Sequence, residues 1–212
     1  MFTGLIWHTG RLLSATSIDA GRRLSIEAPG LLADPPPQRG ESIAINGCCL
    51  TLVEHDGNAL AFDAVPQTLA NTTLGGLAAG DHLHLERSCT PRTLLGGHIV
   101  QGHVDGVGEI VRVRTDGEWR ARIRPPAPLM EFVVPRGSIA VDGVSLTVAE
   151  LSPAEGWFEI ALIPETLERT NLGRLNAGGL VNLECDCMAK ALIHWQKHYS
   201  RDPGDRADNH SR

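Results

Sequence analysis

No segment of this chain approaches the ~20 consecutive apolar residues that a bilayer crossing requires, and no basic cluster stands out along it. The first absence excludes a spanning helix. The second, with a formal charge of −6, argues against DNA or RNA as the main partner, since phosphate binding needs excess positive charge on one face. The opening MFTGLIWHTGRL has neither a basic n-region nor a long apolar h-region, so no secretory signal is expected. There is no C-x-x-C pair. The five cysteines are an odd number in mostly apolar surroundings, which reads as reduced thiols rather than a disulfide frame. A cytoplasmic protein is the expectation.

What is present is ordinary globular material. The 212 residues are 42% hydrophobic and 21% charged, enough for one large domain or two small ones with real cores. The 23 glycines and 13 prolines favour short elements joined by tight turns.

The chain is written twice. SIAINGCCLTL, residues 42–52, lies over SIAVDGVSLTV, residues 138–148, at an offset of 96, pairing Asn46 with Asp142, Cys49 with Ser145 and Thr51 with Thr147. Downstream, at an offset of 98, Pro66 meets Pro164, Thr68 meets Thr166, Gly75 meets Gly173 and Glu86 meets Glu184. At the same 98 upstream, Thr3 faces Gln101, Gly4 faces Gly102 and Gly10 faces Gly108. Three blocks in one order mark a duplicated domain, with TPRTLLGG between the copies.

Within each copy the Asn-Gly or Asp-Gly signal splits an alternating phrase into a hairpin. DHLHLE and LVNLE alternate as further strands, and PQTLANTTLG and PETLERTNLG read as short helical turns. Many short strands with so little helix predict a small closed barrel per copy. From Cys187, MAKALIHWQKHY predicts a helix whose Met188, Leu192, Trp195 and Tyr199 form a narrow apolar stripe, either a cap on the strands or an oligomer seam. The polar end is expected to be disordered.

Nine His and five Cys invite a metal, but neither C-x-C at Cys185 and Cys187 nor H-x-H at His82 and His84 supplies four converging ligands. His84 pairs with Asn182 of the other copy, which places the His82/His84 strand face in solvent. His98 and His103, five apart, fall on opposite faces if extended. GGHIVQGHVDGVG lacks the strand-turn-helix setting of a dinucleotide loop, so its glycines serve turns and close backbone approach. Adjacent strand residues point opposite ways, which makes Cys48, the counterpart of Val144, a core residue and Cys49, the counterpart of Ser145, the one open to a site. His103 replaces an apolar counterpart, Leu5.

Taken in order, MFTG, NG-x-CLT, GGHIVQGHVDG, GS-x-x-VDG-x-SLT, LIPETLERTNLG and VNLECD resemble the riboflavin synthase family, from residue 1 to about 198. The resemblance implies an all-β chain of two tandem six-stranded Greek-key barrels with a C-terminal helix. The parts would be a lumazine-binding barrel at 1–96, a second at 97–186, an oligomerisation helix at 187–199 and a tail at 200–212. It implies dismutation of two 6,7-dimethyl-8-ribityllumazine molecules to riboflavin and 5-amino-6-ribitylamino-uracil, with no cofactor and no metal. It further implies a homotrimer with each working site between subunits, and suggests association with lumazine synthase. Carried over by position, one lumazine would lie against Gly4, Leu5, Ile6, Cys49, Leu50, Thr51, Asp63, Ala64, Val65, Pro66, Gln67 and Thr68. The second would lie against Gly102, His103, Val104, Ser145, Leu146, Thr147, Ala161, Leu162, Ile163, Pro164, Glu165 and Thr166, with Arg136 nearby. His103 is the expected proton-transfer group, Thr3 and Ser145 relays, and Cys49 and Asp186 would position the acceptor or help water or hydroxide add to the ring. Four positions depart from the family pattern: Arg136 stands for a usual Lys, Gln67 for a usual Glu, and Trp7 with His8 for small or acidic residues. The alternative implied function is a non-catalytic lumazine- or flavin-binding paralogue.

Overall fold

The first copy runs through β1 (His8–Ile18), β2 (Gly21–Glu27), β3 (Ser42–Ile45), β4 (Cys48–His55), β5 (Ala59–Ala64), α1 (Pro66–Asn71) and β6 (His82–Arg87). The second repeats it as β7 (Gly106–Arg114), β8 (Trp119–Arg124), β9 (Ser138–Val141), β10 (Val144–Ser152), β11 (Trp157–Leu162), α2 (Pro164–Arg169) and β12 (Leu180–Cys185), and α3 (Cys187–Tyr199) follows. This is a computed structural model, and it describes residues 1–32 and 35–200; the tail expected to be disordered lies, past Ser200, outside the described residues. Each copy closes an antiparallel barrel, in the order β1-β2-β5-β4-β3-β6 and then β7-β8-β11-β10-β9-β12. The expected pair of six-stranded Greek-key barrels is present. Among the described residues no helix is long and apolar enough to cross a membrane.

The hairpin signals act as anticipated. Asn46 (φ 44°) and Gly47 (φ 77°) turn β3 into β4, and Asp142 (φ 46°) and Gly143 (φ 80°) turn β9 into β10, the left-handed pair of a type I′ turn. Bulges fall at matching places, between Leu52 and Glu54 on β4 and between Val148 and Glu150 on β10, which sharpen the bend that closes a small barrel. Leu24, Ile43, Leu60 and Phe62 fill the first core; Ile110, Val141, Phe158 and Leu183 fill the second. Each such burial stabilises by about 1.5–3 kcal/mol.

The cores are exchanged at one edge. Ile6, from the segment before β1, is buried in the second barrel's core, while Val104, from the segment before β7, packs on the first. Between them Phe2 and Val100 bond reciprocally, N to O at 2.7 and 3.1 Å. The two hairpin turns also touch: a Cβ on Gly47 would lie 2.6 Å from the Gly143 nitrogen. Residue n of one copy thus meets its own counterpart across a pseudo-twofold axis.

Three expectations are corrected. The His84 side of β6 is not solvated: His84 and Asn182 are both about 1% exposed, enclosed where the copies meet. An alternation rule cannot see this, because the burying surface is the other barrel. His84 donates from Nδ1 to the Asp142 carbonyl at 2.9 Å, and its Nε2 accepts from the Asn171 N–H at 3.0 Å. Asn182 does the same work in mirror image, donating to the Asn46 carbonyl and accepting from the Thr73 N–H. Next, His98 and His103 occupy the irregular segment before β7 rather than a strand. Last, a basic cluster does exist. Arg112 faces Arg122 and Arg114 faces Arg120 across the β7–β8 hairpin, gathered around Glu159. Charges interspersed along the chain converge only once the strands pair.

Burial pushes His84 down to about 4 from an ordinary 6.5, and pushes Asp142 up to about 7 from 3.8. The neutral forms suit a dry seam. The histidine's contribution to stability is complete above 6.5 and lost as pH falls through 4. The aspartate's is complete below 3.8 and lost as pH rises through 7. The two slopes oppose one another, so each should be exposed by a variant borrowed from the other copy. His84→Asn should be most stable near pH 4 and weaken toward pH 7; Asp142→Asn should weaken from pH 6.5 toward pH 4. Each slope should be at most about 1.4 kcal/mol per pH unit, read by urea unfolding at several pH values. Equal slopes in the two variants would disprove this account of the seam.

Candidate active site

The site is built on two buried carboxylates. Glu86, near the end of β6, accepts from the Thr3 N–H (2.7 Å), the Thr3 hydroxyl (2.6 Å) and the Gly4 N–H (3.0 Å). Glu184, at the same place on β12, accepts from the N–H groups of Gln101 (2.6 Å), Gly102 (2.9 Å) and His103 (3.0 Å). Burial raises both carboxyl pKa values, while these hydrogen bonds oppose the rise. Each carboxylate thereby pins a short irregular segment. Gly4 (φ 73°) and Gly102 (φ 80°) then turn their carbonyls outward. The Gly4 oxygen accepts from the Ser145 N–H and the Gly102 oxygen from the Cys49 N–H, each at 2.8 Å. Only glycine fits: a Cβ would lie 2.6 Å from the Ser145 Cβ, or 2.5 Å from that of Cys49.

This pairing corrects the expected grouping. Gly4, Leu5 and Ile6 do not join Cys49 and the first barrel; with Trp7 they line a cavity of about 260 Å³ beside Ser145, Ile163, Glu165, Thr166 and Arg169 of the second. Gly102 and Val104 cross in the opposite sense, to Cys49 and the first barrel. A linear carry-over assigns each segment to the barrel that follows it. The crossing is a tertiary event with no local signal.

Alternation sorts the remaining residues. Cys49 and Thr51 on β4, and Ser145 and Thr147 on β10, point away from the cores. Cys48, Leu50, Ala64, Leu146 and Leu162 are buried in them, so only their backbones are open to a ligand. Burial, with the nearby Cys49 and Glu184 adding to it, pushes the Cys48 thiol up to about 12, so it stays protonated. Asp63 is claimed by Arg23, in contacts of 2.7 and 2.9 Å, and the bond to Arg23 holds its carboxyl below the usual range. Its counterpart Ala161 carries no charge. Val65, Pro66, Gln67 and Thr68 form the β5–α1 corner, and Ile163, Pro164, Glu165 and Thr166 the β11–α2 corner. Arg136 is exposed at φ 60°.

One expected role changes. Thr3 is buried and its hydroxyl is spent, donating to Glu86 and accepting from the Leu5 N–H at 3.1 Å, so it anchors the segment rather than relaying a proton. Asp186 caps α3, accepting from the Met188 N–H at 2.8 Å, and its charge reaches the His98 ring. His103 is exposed on the pinned segment. Among the described residues no group of three His, Cys, Asp or Glu converges on a metal.

Several site residues escaped sequence reasoning. Glu86 and Glu184 were visible as a repeated pair, but nothing local marks a carboxylate that will accept three bonds. Trp7 stacks on the Arg169 guanidinium, 4.5 Å from centroid to carbon, and Arg169 also pairs with Glu165, which walls the second barrel's cavity. The first barrel has Asn71 and Gln67 at the places of Arg169 and Glu165, and Asp105 of the crossing segment stands at the place of Trp7, so the same aromatic wall is not repeated there.

A family model described as the lumazine binding domain matches residues 3–88 and again 101–186. The riboflavin synthase of Mycobacterium tuberculosis is 44% identical over 194 residues, covering 90% of this chain and 95% of that one. That of Escherichia coli is 37% identical over 196 residues, covering 91% and 90%. Among solved structures, LumP complexed with riboflavin superposes with a TM-score of 0.79 at 28% identity, covering 87% of this chain and 99% of that one. Fold and site therefore define a tandem lumazine-binding-domain protein. Within that class, the chain belongs to the riboflavin synthase family.

If Glu184 pins the segment that carries His103, Glu184→Ala leaves three N–H groups without their acceptor and should cost roughly 3 kcal/mol or more. Amide hydrogen exchange at Gly102 and His103 should accelerate while that at Thr3 and Gly4 does not. Uniform acceleration at both segments would show that the two clasps are not separate.

Proposed function

We propose that the chain converts two molecules of 6,7-dimethyl-8-ribityllumazine into riboflavin and 5-amino-6-ribitylamino-uracil by moving a four-carbon unit from one to the other. The atoms of two lumazines equal those of the two products, so no oxidant or reductant enters. One observation carries the reading: two pockets share a backbone frame and differ in the group at its centre, Cys49 in one and Ser145 in the other. A dismutation needs two places for one substrate, and needs them to treat it differently. Identity of 44% over nine tenths of the chain to a riboflavin synthase supports the same reading.

In this reading the outward Thr51 and Thr147 hydroxyls suit a ribityl polyol, and strand-end N–H and C=O groups suit the pyrimidinedione edge. The N8-alkylated ring makes its 7-methyl group acidic, which gives a nearby base work to do. His103 takes that role, an exposed ring on a backbone that Glu184 immobilises. Ser145 and Cys49 position the two rings, and Asp186 acts from the start of α3. Much of the rate then comes from holding two reactive rings together.

The same reading makes α3 an oligomer seam. Met188, Leu192, Trp195 and Tyr199 are 71%, 65%, 57% and 66% exposed, a continuous apolar stripe of the kind that marks an interaction surface. It would assemble three chains, setting the first-barrel pocket of one against the second-barrel pocket of the next. The free state of all five cysteines suits a cytoplasmic setting.

Purified protein given the lumazine alone should form riboflavin, with one uracil product per riboflavin. A tightly held yellow ligand without turnover would instead favour a carrier. Replacing Met188, Leu192 and Trp195 with Ser, Gln and Gln should reduce the sedimenting mass to one chain and cut turnover at least tenfold, since a site completed by a neighbour is lost with it. A fully active monomer would remove the shared site from the reading.

A further inference from the structure

Trp7 keeps 62% of its surface exposed, yet it is held from both sides. Ile6 before it is buried in the second core, and His8 after it starts β1. The indole faces the Arg169 guanidinium, 4.5 Å from ring centroid to carbon, and Arg169 pairs through its Nε with Glu165, one turn earlier on α2. A planar guanidinium stacks on an aromatic face, a geometry that a compact ammonium lacks. The contact therefore ties a segment pinned by Glu86 of the first barrel to a helix of the second. Two cavities meet here. One, of about 260 Å³, has Gly4, Leu5 and Trp7 on one side and Glu165, Thr166 and Arg169 on the other. The other, of about 600 Å³, is lined by Leu5 and Trp7 again, with His8, Arg87 and Leu94. Leu5 and Trp7 thus form the partition between them. At about 260 Å³ the walled cavity is smaller than the roughly 300–1,000 Å³ of most ligand pockets, so the place of this partition decides what ring fits. Asp105, the matching residue of the other crossing segment, builds no such wall. It accepts from the Cys185 N–H at 2.8 Å and from the Lys190 Nζ at 2.9 Å, which ties it to β12 and α3.

We propose that Trp7 is a specificity-determining residue: latched by Arg169, its indole bounds the second-barrel pocket so that a two-ring lumazine enters and the three-ring product does not settle there. The inference deepens the synthase reading above and rests on it. Riboflavin carries four more carbons than the lumazine, fused as a third ring, and a single extra methylene at a fitted apolar wall already changes affinity by about 10–200-fold. Riboflavin and lumazine binding should be counted by equilibrium dialysis, with turnover measured alongside, for the wild type, Trp7→Ala, Trp7→Phe, Arg169→Lys and two double variants. Trp7→Ala should take up a second riboflavin per chain at concentrations about tenfold below those the wild type needs, with lumazine affinity changed less than about threefold. Trp7→Phe, which keeps an aromatic ring at the rim, should stay near the wild type. Arg169→Lys keeps the charge for Glu165 and loses the planar stack, so it should shift in the direction of Trp7→Ala. Trp7→Ala/Arg169→Lys should go no further than the larger single change, as coupled residues are non-additive. Trp7→Ala/Thr166→Trp, which refills the cavity, should abolish the gain and so locate it in the second barrel. Should Trp7→Ala fail to fold, Trp7→Leu carries the same comparison. Unchanged uptake of the second riboflavin in Trp7→Ala, equal changes for riboflavin and lumazine, an indifferent Arg169→Lys, or a gain that survives Thr166→Trp would each overturn the proposal. A wild type that binds lumazine without converting it would sink the synthase reading and this inference with it; an active wild type beside an indifferent Trp7→Ala sinks the inference alone.

Discussion

Everything at the site hangs on the crossing of two glycine-led segments, each held by a buried carboxylate of one barrel and bonded to a strand of the other. Glu86 pins Thr3 and Gly4, whose carbonyl then receives the Ser145 N–H of the second barrel. Glu184 pins Gln101 to His103, and the Gly102 carbonyl receives Cys49 of the first. A carboxylate out of water is costly unless its oxygens are satisfied, and three charge-assisted donors per group meet that requirement. Neither barrel completes its own pocket. Ile6 seals the second core and Val104 lies against the first, so the copies are joined by packing as well as by hydrogen bonds.

Such a crossing constrains where two copies can diverge. The backbone is fixed on both sides by contacts that meet their own counterparts: Phe2 against Val100, Gly47 against Gly143. A change of chain path in one copy would break contacts in both. Side chains on the outward faces carry no such burden. There Cys49 answers to Ser145, Asp63 to Ala161, Gln67 to Glu165 and Asp105 to Trp7. The frame stays symmetric while the chemistry presented to a ligand does not.

That division also explains what could be read from the chain. Hairpins at Asn46-Gly47 and Asp142-Gly143, the barrel class and the α3 stripe follow from local pattern, because left-handed turns and period-two alternation are local physics. The inward Cys48 and outward Cys49 follow from the same rule. The crossing does not, since nothing near Gly4 says which barrel Ile6 will enter. For the same reason Thr3 read as a relay, while a glutamate 83 residues away consumes its hydroxyl. His84 read as solvated because its cover is the other copy, and the Arg112–Arg122 group was invisible until two strands paired it.

The seam between the copies shows how a symmetric frame survives substitution. On one side of the axis Asn46 lies across from Asn182; on the other Asp142 lies across from His84. Each pair still joins a side-chain donor to a turn carbonyl, and each of the two long residues still accepts a backbone N–H, from Thr73 or from Asn171. What matters at these positions is one donor and one acceptor at fixed places, a demand that Asn meets directly and that neutral His meets in a single tautomer. Burial keeps the histidine neutral and favours the protonated aspartate. Between about pH 4 and pH 7 the seam therefore gains ionisable groups without having to carry their charges in the dry interior, where unpaired charge is most costly. Buried carboxylates are instead placed where the fold supplies donors, as at Glu86 and Glu184, each of which accepts three hydrogen bonds.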